Sequence, residues 1–112
     1  MKEYLGKLVK VVIDRPIGTK ITSRNLVYPI NCGHIPGTIS RDGKEIDAYV
    51  IGELEPLERY VGLVVAIIKR ENDNECKLVV CKDMNKYSKH QIKAMVEFKE
   101  KSFKSTIIMF NE

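Results

Sequence analysis

Glycine, proline and an Asp-Gly pair punctuate this chain so often that its apolar residues fall into short runs, and short runs of Val, Ile and Leu make strands. Residues 7–13 are rich in Val and Leu and stop at Pro16 and Gly18. Residues 26–30 form a brief run, residues 46–51 are apolar with β-branched side chains, and residues 77–81 repeat that character. Residues 61–69 make the longest run, as expected of a centrally placed strand buried on both faces. Gly33, Pro36, Gly37, Asp42 with Gly43, Pro56 and Gly62 punctuate the series. Residues 106–110 offer a last strand that closes or edges the sheet.

Only one stretch carries a strong helical period. Ser88 and Gln91 have the spacing of a capping box, in which each side chain takes an orphan backbone N–H of the first turn. Ile92, Met95, Val96, Lys99 and Phe103 follow at helical spacing, with charges on the opposite face. Lys99 sits on the apolar stripe, where its stem packs while its ammonium reaches water. Strands first and one amphipathic helix last predict a mainly β (α+β) fold: a small β-barrel with a C-terminal helix packed over it. A chain of 112 residues suits one domain, residues 1–112, with one modest core.

Composition narrows the partners. Nineteen basic against fifteen acidic residues give a net charge of +4, which suits an anionic partner without choosing between a small phosphate compound and nucleic acid. Single-stranded nucleic acid is held on aromatic platforms among basic residues. The five Tyr and three Phe lie instead in apolar segments and Trp is absent, so no nucleic-acid partner is expected. The unbroken apolar run from 63 to 68 is far short of the roughly 18 residues a membrane span needs, so no membrane partner is expected. The first residues lack the apolar core of a secretory signal, and Cys32, Cys76 and Cys81 form neither a Cys-x-x-Cys pair nor a zinc spacing with histidine. Reduced thiols and a cytoplasmic location are the expectation.

Residues 28–36 read Tyr-Pro-Ile-Asn-Cys-Gly-His-Ile-Pro, and residues 42–47, after a short hairpin, read Asp-Gly-Lys-Glu-Ile-Asp. This order resembles the active-site stretch of the soluble family I inorganic pyrophosphatases, which carry Tyr-Pro-x-Asn-Tyr-Gly-Tyr-Ile-Pro and then Asp-Gly-Asp-x-x-Asp. The resemblance implies a five-stranded, oligonucleotide-binding-type barrel with flanking helices. It also implies hydrolysis of inorganic pyrophosphate to two phosphates by a metal-activated water. Mg²⁺ or another divalent cation such as Mn²⁺ is the implied cofactor, and a homo-oligomer the implied assembly. Hard cations take oxygen ligands, so several carboxylates must converge, while Lys and Arg offset charge on the leaving phosphate.

By the same resemblance Asp42 and Asp47 match the first and last acids of the motif, and Lys44 stands where the middle acid would be. Glu45, one residue on, is the nearest replacement in the catalytic role beside Asp42, with a solvated loop carboxylate as the competing reading. Glu75 and Lys77 match an acid and a phosphate-contacting lysine, and the acid before them falls on Asn72 or Asp73, of which Asp73 is the chosen metal ligand. The metal set implied is thus Asp42, Asp47, Asp73 and Glu75. Lys20, Tyr28, Lys77 and Lys104 are the implied substrate contacts, Lys104 because Phe103-Lys104 fits the family's Tyr-Lys on the last helix. Asp14 is a further acid at the rim, Arg24 and Arg41 are the candidate arginines, and Cys32 and His34 replace aromatic residues. With Lys44, Asn72, Cys32 and Phe103 altered, the alternative is a catalytically impaired relative that binds phosphate compounds or a protein partner.

Overall fold

The computed structural model describes residues 1–71 and 75–110. A 3-10 turn (Lys2–Tyr4) leads into β1 (Leu8–Arg15), a small pair of strands β2 (Lys20–Ile21) and β3 (Leu26–Val27), β4 (Asn31–Ile35) and β5 (Ile46–Val50). Then come β6 (Arg59–Arg70), β7 (Cys76–Cys81), α1 (Lys89–Glu100) and β8 (Ser105–Met109). Five strands close on themselves in the order β1, β4, β5, β7, β6 and back to β1, with only the β5–β7 pair parallel. The fold is therefore mainly β, a five-stranded oligonucleotide-binding-type barrel with a C-terminal helix.

Strand β6 is twelve residues long and serves two neighbours on one side. Residues 59–63 pair with β1 and residues 66–70 with β8, and a register shift between Val64 and Ala66 lies where the one gives way to the other.

The largely apolar character of β5, β6 and β7 follows from burial of both their faces. Successive side chains point to opposite sides of a strand. Ala48 and Val50, Val64 and Ile67, and Leu78 and Val80 meet Val11, Ile13 and Ile35 inside the barrel. Tyr49, Ile51, Val65, Ile68, Val79 and Cys81 point outward and are covered by Ile92 and Val96 of α1. Fully burying each of those two helix side chains contributes about 1.5–3 kcal/mol. The capping box forms as expected, with Gln91 N donating to Ser88 Oγ at 3.2 Å and Ser88 N to Gln91 Oε1 at 2.8 Å.

Two glycines that read as breakers lie inside strands. A Cβ on Gly33 of β4 would fall within the backbone of Val12, and one on Gly62 of β6 would meet the Tyr60 ring at 2.7 Å and the Cys81 carbonyl oxygen at 2.9 Å. Both are glycine because a neighbour approaches too closely for any side chain. The barrel strand expected at 26–30 accordingly lies at Asn31–Ile35, and Leu26–Val27 only closes the small pair with β2. The helix also ends at Glu100, so Phe103 lies beyond it and stacks on the Arg70 guanidinium at 3.7 Å. Phe98, which the expected stripe did not include, packs against the core instead, edge-on to Tyr28 at 5.2 Å and to Tyr49 at 6.1 Å. Among the described residues no helix is long and apolar enough to cross a membrane.

Candidate active site

Strand alternation gathers polar side chains where α1 stops covering the barrel's outer face. Asp47 and Tyr49 share that face of β5, Lys77 joins them from the adjoining β7, and Cys32 comes from β4 on the other side. With Asp14, Arg15, Tyr28 and Lys99 they line a cleft of about 240 Å³.

Cations dominate its walls. Lys77 is 8% exposed, and its ammonium donates to Asp47 Oδ2 at 2.8 Å and to Glu75 Oε1 at 3.3 Å. On the other side the Tyr28 hydroxyl accepts from Lys99 Nζ at 3.1 Å and from Arg15 Nη1 at 3.3 Å. Both cations lie over the Tyr28 ring, at 5.7 and 5.6 Å from its centre. Three cations around one small space, with Asp14 and Asp47 as the lining acids among the described residues, make a receptor for a compact, multiply charged anion.

Of the residues expected from sequence, Tyr28, Lys77, Asp47 and Asp14 meet in this cleft, and Glu75 touches it through Lys77. Asp42 does not line it. It faces a neighbouring cavity of about 570 Å³ that Glu75, Lys69, Arg41 and Cys76 also line, so Glu75 stands between the two spaces. The Asp42 carboxylate accepts hydrogen bonds from the Ser40 hydroxyl and from Lys44 N, and these hold it below its ordinary pKa. Glu45 accepts from Gly37 N at 3.0 Å, and its other oxygen lies 3.5 Å from His34 Nε2. His34 is the cross-strand partner of Asp47, and its Nδ1 lies 3.1 Å from Asp14.

Lys20 is exposed on β2 and does not line the cleft. Lys104 is 77% exposed and pairs with Glu71 at 3.7 Å, away from it. The cation that α1 does bring to the cleft is Lys99, directly after Phe98. Asp73, with Asn72, lies outside the described residues. Arg24 and Arg41 line other surfaces.

Sequence reasoning missed Lys99 and Arg15 as cleft cations. The available signals were a lysine on an otherwise apolar stripe and an arginine directly after a rim acid. It also missed the buried Arg70 and Glu100, whose pairing with each other spans thirty positions and leaves no local signal.

Two motif residues have structural work. Asn31 is fully buried, its Oδ1 accepting from Ile17 N and Leu57 N and its Nδ2 donating to the Glu55 carbonyl, so it pins two loops against β4. Burial pushes the Cys32 thiol up to about 12, outweighing the pull of Lys77 and Lys99. A thiol so placed stays protonated at neutral pH and is no nucleophile.

The donor set fits a hard divalent cation in kind. Asp47 and Glu75 already share one cationic group, the Lys77 ammonium, and present oxygen donors only. Among the described residues no three His, Cys, Asp or Glu side chains form a ready cage. Mg²⁺ binds with one or two carboxylates when substrate phosphates and waters complete its shell.

A family model described as inorganic pyrophosphatase matches residues 4–112. Among solved structures, the inorganic pyrophosphatase of Ehrlichia chaffeensis superposes with a TM-score of 0.73 at 16% identity, covering 96% of this chain and 88% of that one. That of Thermus thermophilus gives 0.63 at 18% identity, over 89% and 79% of the two chains. That of Neisseria gonorrhoeae gives 0.61 at 22% identity, over 83% and 72%. At these identities the likeness is one of fold. No curated protein matches the chain.

Proposed function

Because the chain belongs to the inorganic pyrophosphatase family, we propose that it hydrolyses inorganic pyrophosphate to two phosphates in a Mg²⁺-dependent reaction at the cleft around Tyr28 and Lys77. The observation that carries this is the cleft itself: Arg15, Lys77 and Lys99 face one space sized for a diphosphate, and two oxygen-donor carboxylates adjoin the buried lysine.

Lys77 has three N–H donors, of which two go to Asp47 and Glu75, and the third serves a phosphate oxygen. Arg15 and Lys99 offset charge on the other phosphate, and the Tyr28 hydroxyl, accepting from both, donates its own proton to a phosphate oxygen. Asp47 and Glu75 would hold the metal, with Asp42 joining from the neighbouring cavity. Bound Mg²⁺ supplies charge neutralisation of the diphosphate and a lower pKa for the attacking water. Glu45, on the same hairpin as the sign-reversed Lys44, is the proposed acceptor of that water's proton.

A homo-oligomer and a cytoplasmic location belong to the same reading. Leu8 and Val61, 67% and 49% exposed on the adjoining β1 and β6, support the first, and three free cysteines support the second.

One observation favours a second reading, a catalytically impaired relative that binds phosphate compounds. Asp42 is engaged by Ser40 and Lys44 N within its own hairpin, and Lys44 supplies a cation where the motif has an acid. Phosphate release from pyrophosphate, measured with Mg²⁺ and with EDTA on wild type and Lys44→Asp, separates the readings. Metal-dependent release by the wild type is the expected result. Release by Lys44→Asp alone would establish the impaired relative, and silence in both would remove the hydrolytic reading.

A further inference from the structure

Arg70, at the end of β6, is 4% exposed. Its Nε and Nη2 donate to the two oxygens of Glu100 at 3.1 and 2.7 Å, and its Nη1 donates to Glu75 Oε2 at 3.1 Å. Glu100 is 5% exposed and accepts further from the Tyr49 hydroxyl and from Ser105 Oγ, while the Phe103 ring covers the guanidinium plane. The other oxygen of Glu75 accepts from Lys77, which also holds Asp47. One connected chain of charges thus runs from the last turn of α1 through Arg70 to the carboxylates beside the cleft.

Burying an arginine is costly unless its donors are satisfied, and the buried Glu100 supplies one opposite charge to balance it. The fork nevertheless extends a third nitrogen to a second, partly exposed carboxylate. Resting on the reading that Glu75 ligates the metal, we propose that Arg70 is a positioning residue. It fixes Glu75 with one oxygen turned to Lys77 and the cleft, from a guanidinium that α1 holds through Glu100. A planar fork does this where an ammonium cannot, because two of its nitrogens lock on Glu100 while the third keeps a fixed direction. Carboxylates that ligate metal are oriented by such outer partners, whose loss typically weakens metal affinity about 10–100-fold.

The test is the affinity of the full chain for Mn²⁺ alone, read by electron paramagnetic resonance, with thermal melts of every variant. Arg70→Lys is expected to melt cooperatively and to raise the Mn²⁺ Kd about tenfold. Glu75→Gln is expected to raise it at least as much, and the double variant to bind no more weakly than Glu75→Gln alone, as a role exerted through Glu75 requires. Ser105→Ala, which loosens the same buried cluster without touching Glu75, is expected to lower Tm and leave the Kd unchanged. The proposal is overturned if Arg70→Lys lowers Tm with a Kd within twofold of wild type. It is equally overturned if the two substitutions multiply, or if Ser105→Ala weakens Mn²⁺ as much as Arg70→Lys does. Should Arg70→Lys not fold, Arg70→Met with Glu100→Gln removes both charges of the buried pair together and with them the contact to Glu75, and a Kd within twofold of wild type there overturns the proposal. A wild type without turnover whose Mn²⁺ affinity still follows Arg70 would remove the hydrolytic reading and keep this one.

Discussion

Lys99 and Lys104 each follow a phenylalanine and carry the same charge, yet the fold treats them differently. Lys99 is half-buried and hydrogen-bonded to Tyr28 in the cleft, while Lys104 lies in water beside Glu71. Spacing alone does not choose between two Phe-Lys pairs five residues apart; where α1 ends decides it, and it ends at Glu100, whose carboxylate docks on Arg70. Lys99→Met is therefore expected to lower kcat/KM for pyrophosphate by about a hundred- to a thousandfold, the range for losing one charge-stabilising donor. Lys104→Met is expected to leave it within about twofold, as for an exposed surface pair. Steady-state kinetics on both variants checks this, and the reverse ranking would return the phosphate contact to Lys104. Tyr28 and Lys77 were named from the motif alone, and both line the cleft. Asp42 matches the motif as clearly, but its hydrogen bonds within the hairpin turn it to the neighbouring cavity.

At the scale of elements, α1 read clearly because its capping box and apolar stripe are both local. Its most consequential charge did not: Glu100 is buried against Arg70, thirty positions away, and in sequence it is one more acid among lysines. The same limit applies to β4, whose Gly33 looks like a break until Val12 of the neighbouring strand is in place. Burial pushes the Glu100 carboxyl up, but hydrogen bonds from Arg70, Tyr49 and Ser105 together outweigh it and leave the pKa below its ordinary value. With the folded pKa depressed, the unfolded chain binds the proton first as pH falls. The stabilisation is therefore complete above the unfolded glutamate pKa of about 4.3 and is lost as pH falls through the lower folded value. Melts from pH 6 downward should show Tm dropping below about pH 4.3, with Glu100→Gln destabilised by about 3–5 kcal/mol at pH 6 and showing a shallower acid drop. An identical acid profile for the two proteins would contradict this assignment of Glu100.

The whole molecule uses both faces of one sheet. Inward side chains fill the barrel, outward ones make a second core beneath α1, and the cleft opens where the outward face runs on past the helix. Cations from β1, β7 and α1 and an acid from β5 meet there because strand alternation puts them on the same side as the helix-covered core. The barrel was legible in the short runs and the terminal helix. The position of the cleft was not, since it depends on the parity of four strands and on where one helix stops. A crystal structure of the chain with Mn²⁺ and a diphosphate bridged by nitrogen in place of oxygen tests this account most directly. It predicts an anomalous peak within ligand distance of Asp47 or Glu75, and phosphate oxygens contacting Lys77, Arg15 and Lys99. A diphosphate seated beside Lys20 or Lys104, with the cleft around Tyr28 holding neither metal nor phosphate, would contradict it.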